Sequence, residues 1–97
     1  MATRIVVELD VKPENRDELV GAMKEVLSDT RAYDGCNEVR LYEGDDDRNH
    51  LVIIEEWESR GHHERYTAWR TETGMMAKWM PMMSKEPRTS YLNGISV

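Results

Sequence analysis

Residues 50–58 read HLVIIEEWE, and this stretch decides the fold because it is apolar on both of its alternating faces. Successive side chains of a β-strand point to opposite faces of the sheet, so Leu51, Ile53 and Trp57 share one face. Val52 and Ile54 share the other. One layer of helices covers one face of a sheet, and a second copy of the same sheet is the simplest cover for the other. The stretch therefore predicts a strand within a homodimer.

The residues that precede this strand supply the first half of an α+β domain. Thr3–Val11 alternates between apolar and polar side chains and predicts a first strand. Lys12-Pro13 predicts the start of a helix, because proline suits the first helical position, and Gly35 predicts a left-handed cap after it. Cys36–Glu43 predicts a second strand, which a polar turn joins to the third strand as a hairpin.

The residues that follow predict a helix, a short further helix and a last strand. Ser59 is a good N-cap for the helix, and Pro81 should end the short one, which begins in the methionine-rich segment 75–83. Pro87–Val97 predicts the final strand. The order β-α-β-β-α-(α)-β describes a single domain, residues 1–97, with the ferredoxin-like arrangement and an antiparallel sheet.

The composition narrows the classes of partner. The 97 residues are 39% hydrophobic and 33% charged, with a net charge of −6, which is typical of a soluble globular domain. An acidic chain lacks the basic surface that nucleic acid or an anionic membrane requires, so neither is an expected partner. The sequence shows no signal peptide and no apolar run of roughly 18 residues, so we expect a cytoplasmic protein. Cys36 is the single cysteine, which excludes an intrachain disulfide.

Four short stretches, in their order and spacing, resemble the antibiotic biosynthesis monooxygenase family. They are residues 12–14 (KPE), 34–36 (DGC), 39–42 (VRLY) and 56–59 (EWES). The resemblance covers essentially the whole chain in element order. It implies a dimeric αβ barrel, in which two sheets pack face to face, and an activity on aromatic or quinol-like compounds, often without metal or flavin.

Two departures from the family pattern bear on the activity. Members often carry a histidine nine or ten residues after the tryptophan of the third strand, where this chain has Tyr66 and Thr67. The haem-degrading relatives carry a triad of asparagine, tryptophan and histidine. Of these three residues this chain matches only the tryptophan, at Trp57, and its first strand contains no asparagine. We therefore do not expect haem degradation.

The second helix carries the residues most suggestive of a site. Helical spacing predicts that His62, Tyr66 and Trp69 turn inward, with His63 and Arg70 at the rim of the same face. Oxygenation without a cofactor needs a base or donor that favours a phenolate or enolate, and surroundings that exclude water. The predicted catalytic residues are His63, Tyr66 and Arg70. The predicted substrate-binding residues are Trp57, His62, Trp69 and Trp79.

These residues have a second interpretation. Tyr66 and Trp69 would be core, Trp57 a core or interface aromatic, and the histidines and Arg70 solvated. The sequence predicts a pocket between the sheet and the second helix, roofed by the methionine-rich segment, which could instead only close the core or the interface.

No metal or cofactor is expected. Adjacent His62 and His63 point about 100° apart on a helix, and Asp45–Asp47 lacks the glycine and distal glutamate of a calcium loop. The sequence thus predicts a cofactor-independent monooxygenase for a small phenol, quinol or polyketide-like aromatic. The alternative is a dimer that binds a small aromatic ligand, or has a structural role, without catalysis.

Overall fold

The computed structural model describes residues 2–97, which form four strands and three α-helices in the predicted order. The elements are β1 Thr3–Asp10, α1 Arg16–Ala32, β2 Cys36–Glu43, β3 His50–Trp57, α2 Arg60–Glu72, α3 Met75–Trp79 and β4 Arg88–Leu92. Single 3₁₀ turns precede α1 at Pro13–Asn15 and follow α3 at Met80–Met82. No helix of this part of the chain is long and apolar enough to cross a membrane.

The four strands form one antiparallel sheet in the order β2-β3-β1-β4. β3 lies between β2 and β1, so both of its edges are paired, and Ile53 is opposite Val7 of β1 and Leu41 of β2. β4 pairs with the other edge of β1, where Tyr91 is opposite Ile5. The ferredoxin-like α+β fold and the β2–β3 hairpin are therefore confirmed.

Some boundaries differ from the prediction. Pro13 begins a 3₁₀ turn, and the α-helix itself begins at Arg16. β4 ends at Leu92, so the predicted strand to Val97 is too long. The reason is the length of its partner: Leu92 already lies opposite Arg4, one residue from the start of β1, and little of that strand remains to pair with later residues.

The helices cover the inner face of the sheet, which carries Leu51, Ile53 and Trp57. The sequence predicted that these three residues share a face, and the structure shows that this is the face under the helices. These three side chains are buried, and the buried residues of α1 and α2 pack in the same clusters. Val52 and Ile54 point to the outer face and are half-buried. Both faces of β3 are thus apolar, and the single helical layer protects one of them.

The turn between α1 and β2 packs against the start of α2. Gly35 has a φ of +91°, and a Cβ atom there would lie 2.4 Å from the imidazole of His62. The backbone N–H of Glu58 donates to the Gly35 carbonyl at 2.7 Å. Ser59 caps α2 as predicted, because its Oγ accepts a hydrogen bond from the His62 N–H at 3.2 Å. Glycine at position 35 therefore allows both the left-handed turn and the approach of α2.

Gly35→Ala should destabilise the fold. The left-handed conformation costs a residue with a Cβ about 1–2 kcal/mol, and His62 must move as well, so we expect a loss of about 2 kcal/mol or more in the free energy of unfolding. The control is Gly21→Ala on the exposed side of α1, where a new Cβ meets nothing within 4 Å. Alanine there should add about 0.5–1 kcal/mol. Urea unfolding measures both, and equal stability of the two variants would contradict the prediction.

Candidate functional site

A cavity of about 310 Å³ lies between the inner face of the sheet, α2 and the methionine-rich segment 75–83. Its size falls at the lower end of the range of roughly 300–1,000 Å³ for small-molecule sites. Most of its wall is apolar, with strand residues on one side and methionines on the other. Five titratable side chains interrupt this apolar wall: Glu55, His63, Tyr66, Arg70 and Tyr91. The cavity therefore combines an apolar interior with a few converging polar groups.

The face of α2 that turns inward agrees with the predicted one only at Tyr66. The buried side chains are His63, Tyr66 and Arg70, whereas His62 is half-buried and Trp69 is 37% exposed. His62 lies in the first turn of the helix, where its Nδ1 is 2.7 Å from Ser59 Oγ. The prediction of an inward Trp69 with a rim Arg70 was wrong, because α1 offers hydrogen-bond acceptors to the guanidinium and so allows it to be buried.

Those acceptors form a network that joins α2 to α1. Arg70 Nε donates to Tyr66 Oη at 2.8 Å, and Arg70 Nη2 donates to the Val26 carbonyl at 2.9 Å. Thr30 Oγ1 donates to the same carbonyl at 3.0 Å and lies 2.6 Å from Tyr66 Oη, which is then the donor in that pair. Burial raises the pKa of Tyr66. The Tyr66 hydroxyl and the Nε and Nη2 atoms of Arg70 therefore already have partners, and the predicted contacts of both residues with a substrate stay predictions.

A second network joins α2 to the sheet. Trp57 Nε1 donates to Glu55 Oε1 at 2.7 Å, and His63 Nε2 is 3.9 Å from the same oxygen. His63 Nδ1 is 2.8 Å from Tyr91 Oη. One hydroxyl from β4 thus orients the imidazole, and one indole from β3 orients the carboxyl group.

Two atoms of this second network are free to meet a ligand. Neither Glu55 Oε2 nor His63 Nε2 has a hydrogen-bond partner among residues 2–97. Because no fully buried polar side-chain atom in that part of the protein lacks a partner, these two atoms are accessible. Both residues line the cavity, so these atoms face it. The residues themselves are 4% and 5% exposed.

Burial favours the uncharged forms of both groups. It raises the pKa of the Glu55 carboxyl group, and the hydrogen bond from Trp57 offsets this only in part. It lowers the pKa of His63, against a smaller opposite effect of the nearby Glu64. The two pKa shifts therefore run in the directions opposite to those that an ion pair would produce.

Glu55 was not among the residues predicted from the sequence, although the signal was present. The alternation that places Leu51, Ile53 and Trp57 on the inner face also places Glu55 there, between Ile53 and Trp57. Tyr91 was predicted only as a strand residue. It reaches His63 from the edge strand β4, where its Oη lies 2.8 Å from His63 Nδ1.

The predicted substrate-binding residues divide into two groups. Trp79 lines the cavity from α3. Trp57, His62 and Trp69 are not part of its wall. Trp57 is fully buried behind His63 and packs against it edge-on, with ring centroids 5.4 Å apart. Trp69 stacks on Tyr33 at 5.3 Å.

The site offers few ligands for a metal ion. No group of three histidine, cysteine, aspartate or glutamate side chains suited to a metal occurs in the described residues. Cys36 lies near Glu55, and burial raises the pKa of its thiol to about 11, so the thiol stays protonated at neutral pH. The chemistry that the arrangement supports is proton transfer at one wall of an apolar cavity.

Comparison with known proteins gives the same architecture. The crystal structure of a conserved protein from Methanosarcina mazei Go1 matches with a TM-score of 0.87 at 22% identity, over 95% of this chain and 91% of that one. An antibiotic biosynthesis monooxygenase structure matches at 0.88 and 20%, over 97% and 99%. Rv0793 from Mycobacterium tuberculosis matches at 0.87 and 21%, over 100% and 98%. At these identities the likeness shows the fold.

The sequence itself defines the family. The family model of the antibiotic biosynthesis monooxygenases matches residues 3–75, which is most of the chain, while no curated protein matches. The structure is a ferredoxin-like α+β domain with a cavity between its sheet and its helices. The chain belongs to the antibiotic biosynthesis monooxygenase family.

Glu55→Gln should change how stability depends on pH. The folded-state pKa of Glu55 is raised above its ordinary value of 4.5, so its stabilising contribution is fully present below that value and is lost as the pH rises through the folded-state pKa. Glutamine still accepts from Trp57 but cannot ionise. The stability of the variant relative to the wild type should therefore increase as the pH is raised above 4.5.

Urea unfolding at a series of pH values measures this difference. The control is Glu58→Gln, an exposed residue just beyond β3, for which we expect no comparable trend. A difference between Glu55→Gln and the wild type that stays constant with pH would contradict the prediction.

Proposed function

We propose that this protein is a monooxygenase that acts without metal or flavin on a small phenolic, quinol or polyketide-like aromatic bound in the cavity. The observation that carries the proposal is the position of His63. Its Nδ1 is held by Tyr91 Oη at 2.8 Å, and its Nε2 faces an apolar cavity. With the proton on Nδ1 donated to Tyr91, Nε2 presents a lone pair to the ligand and serves as the base.

The reaction needs no external reductant if the substrate supplies both electrons. His63 Nε2 removes a proton from the substrate and leaves a carbanion or phenolate, which gives two electrons to O₂ as a carbon–oxygen bond forms. The O–O bond then breaks, a second substrate hydrogen leaves as a proton, and a carbonyl remains. One oxygen atom enters the product and the other leaves as water, so SH₂ + O₂ gives S=O + H₂O.

The wall of the cavity suits this chemistry. Apolar strand and methionine side chains exclude water, which protects an electron-rich anion from reprotonation by solvent. Methionine is flexible and polarisable, so the roof adapts to a flat ring system. Trp79 adds an aromatic surface for stacking. Membership of the family supports the same class of reaction.

The second candidate is a protein that binds an aromatic ligand without converting it. The observation in its favour is the network on α1: the Tyr66 hydroxyl and the Arg70 guanidinium hold two helices together, and their hydrogen bonds are directed to α1 and to each other rather than to a substrate anion. Catalysis must then rely on His63 and Glu55. Turnover, measured directly, separates the two candidates.

We further propose that two chains form a homodimer through the outer faces of their sheets. Val6, Val52 and Ile54 lie side by side on that face, because Val6 is paired with Ile54 and the alternation of β3 brings Val52 to the same side. Tyr42 and Leu92 extend this apolar area and are each 46% exposed. A second sheet would bury the whole area. Ile54, rather than the inner-face residue before it, is thus the position to test.

His63→Gln should abolish most of the oxygenase activity. General acid–base groups contribute about 10²–10⁴-fold in rate, so we expect kcat to fall by about that factor. Oxygen uptake with a panel of hydroquinones and anthrone-like phenols, without added cofactor, measures it. The control is His50→Gln, a histidine that pairs with Asp10 away from the cavity. Ligand binding without oxygen uptake by the wild type would favour the non-catalytic candidate.

Ile54→Glu should dissociate the dimer or unfold the chain, because it would bury an uncompensated charge at the interface. Light scattering at micromolar concentration should show a dimer for the wild type and a monomer, or unfolded protein, for the variant. Ile95→Glu is the matched control, since Ile95 lies beyond β4 and is 84% exposed. A monomeric wild type would refute the proposed assembly.

A further inference from the structure

Glu55 is a buried acid that packing alone does not explain. Its carboxyl group occupies an inner-face position of β3, where its neighbours on the same strand, Ile53 and Trp57, are apolar. The one hydrogen bond it accepts comes from Trp57 Nε1. A glutamine oxygen would accept that bond equally well, without a group whose ionised form is costly to bury. The position therefore holds an ionisable group that the structural role does not require.

The free oxygen of Glu55 and the free nitrogen of His63 open into the same cavity. His63 Nε2 is 3.9 Å from Glu55 Oε1, so a small movement of either side chain brings the two within hydrogen-bond distance. Trp57 and Tyr91 hold the other side of each group, at 2.7 Å and 2.8 Å. A ligand in the cavity thus meets two oriented groups that lie close to each other.

We propose that Glu55 is the general acid of this site: its carboxyl group delivers a proton to the oxygen that leaves as water, and His63 returns that proton to it. The inference rests on the proposed oxygenase function. It extends that function, because a base alone accounts for the first half of the reaction only. Hydroxide is a poor leaving group, whereas water is a good one, so breaking the O–O bond requires an acid near the far oxygen.

The protons balance over one cycle. His63 takes the first substrate proton, and the carbanion adds to O₂ to give a peroxide anion, which recovers that proton from His63 as a hydroperoxide. His63 then removes the second proton from the same carbon, the O–O bond breaks, and the departing hydroxide takes the proton of Glu55. Transfer from protonated His63 to ionised Glu55 restores both groups. Buried groups with pKa values shifted in opposite directions are typical of such acid–base pairs.

The surroundings of the pair keep other titrations away from neutral pH. Besides Glu55 and His63 themselves, the titratable and charged groups that face this pair are Tyr66 and Arg70 on α2, with Glu64 beside His63, Tyr91 on β4 and Cys36 on β2. Burial raises the pKa values of Tyr66, Tyr91 and Cys36, so these three stay protonated. A pH profile of kcat between weak acid and neutrality then reports on Glu55 and His63.

The test compares Glu55→Gln with the control Glu58→Gln in oxygen-uptake and product assays. We expect kcat for product to fall by about 10²-fold or more in Glu55→Gln. KM and ligand binding should change little, and hydroperoxide or hydrogen peroxide should accumulate, because the first half of the reaction survives. The alkaline limb of the kcat profile should disappear. Glu55→Asp, which keeps the acid, should restore part of the product rate.

The outcomes separate this inference from the function on which it rests. A wild type that consumes no oxygen with any substrate of the panel overturns both. A wild type that turns over, with Glu55→Gln equal to it in kcat and pH profile, overturns the role of Glu55 alone. A loss confined to KM or to thermal stability, or a Glu55→Asp variant as slow as Glu55→Gln, also overturns it, since an acid role predicts neither.

Discussion

The pairing of β3 on both of its edges is the constraint on which the rest of the structure depends. Because side chains alternate along a strand, its register with β1 and β2 fixes which residues enter the cavity. A slip of one residue would move Glu55 and Trp57 to the outer face and bring Glu56 inside. The register between β2 and β3 shifts between Cys36 and Glu38, opposite the end of β3. A β-bulge of this kind helps to fix the alignment of the two paired strands.

The buried polar groups of the second layer follow from where α1 and α2 meet. A guanidinium can be buried only where acceptors await it, and the Val26 carbonyl and Thr30 Oγ1 provide them. Tyr66 completes this arrangement by linking Arg70 to Thr30. The polar network anchors the helix that carries His63, so the orientation of that imidazole depends on contacts made by residues further along the same face of the helix.

The sequence predicted the order of elements well and the polar details poorly, for a physical reason. Alternation and helical spacing are local properties, and they identified β3, the hairpin and the caps at Gly35 and Ser59. Which residues of α2 face inward depends on α1, more than thirty residues away along the chain, so the spacing alone misplaced Arg70. Glu55 was missed although the local alternation of β3 is enough to place it on the inner face. A charged residue was not expected on a face that packs in the core.

Different parts of the chain supply the polar groups of the cavity and its roof. The groups proposed to transfer protons lie on β3 and α2, and hydrogen bonds from Trp57 of β3 and Tyr91 of β4 hold them in place. The roof comes from the segment after Gly74, a residue with a φ of +79° and open space around the position that a Cβ would take, and it consists largely of methionines. Substitutions in the roof would alter the shape of the cavity and leave Glu55 and His63 in place. The shape of the cavity and its polar groups therefore have room to evolve independently.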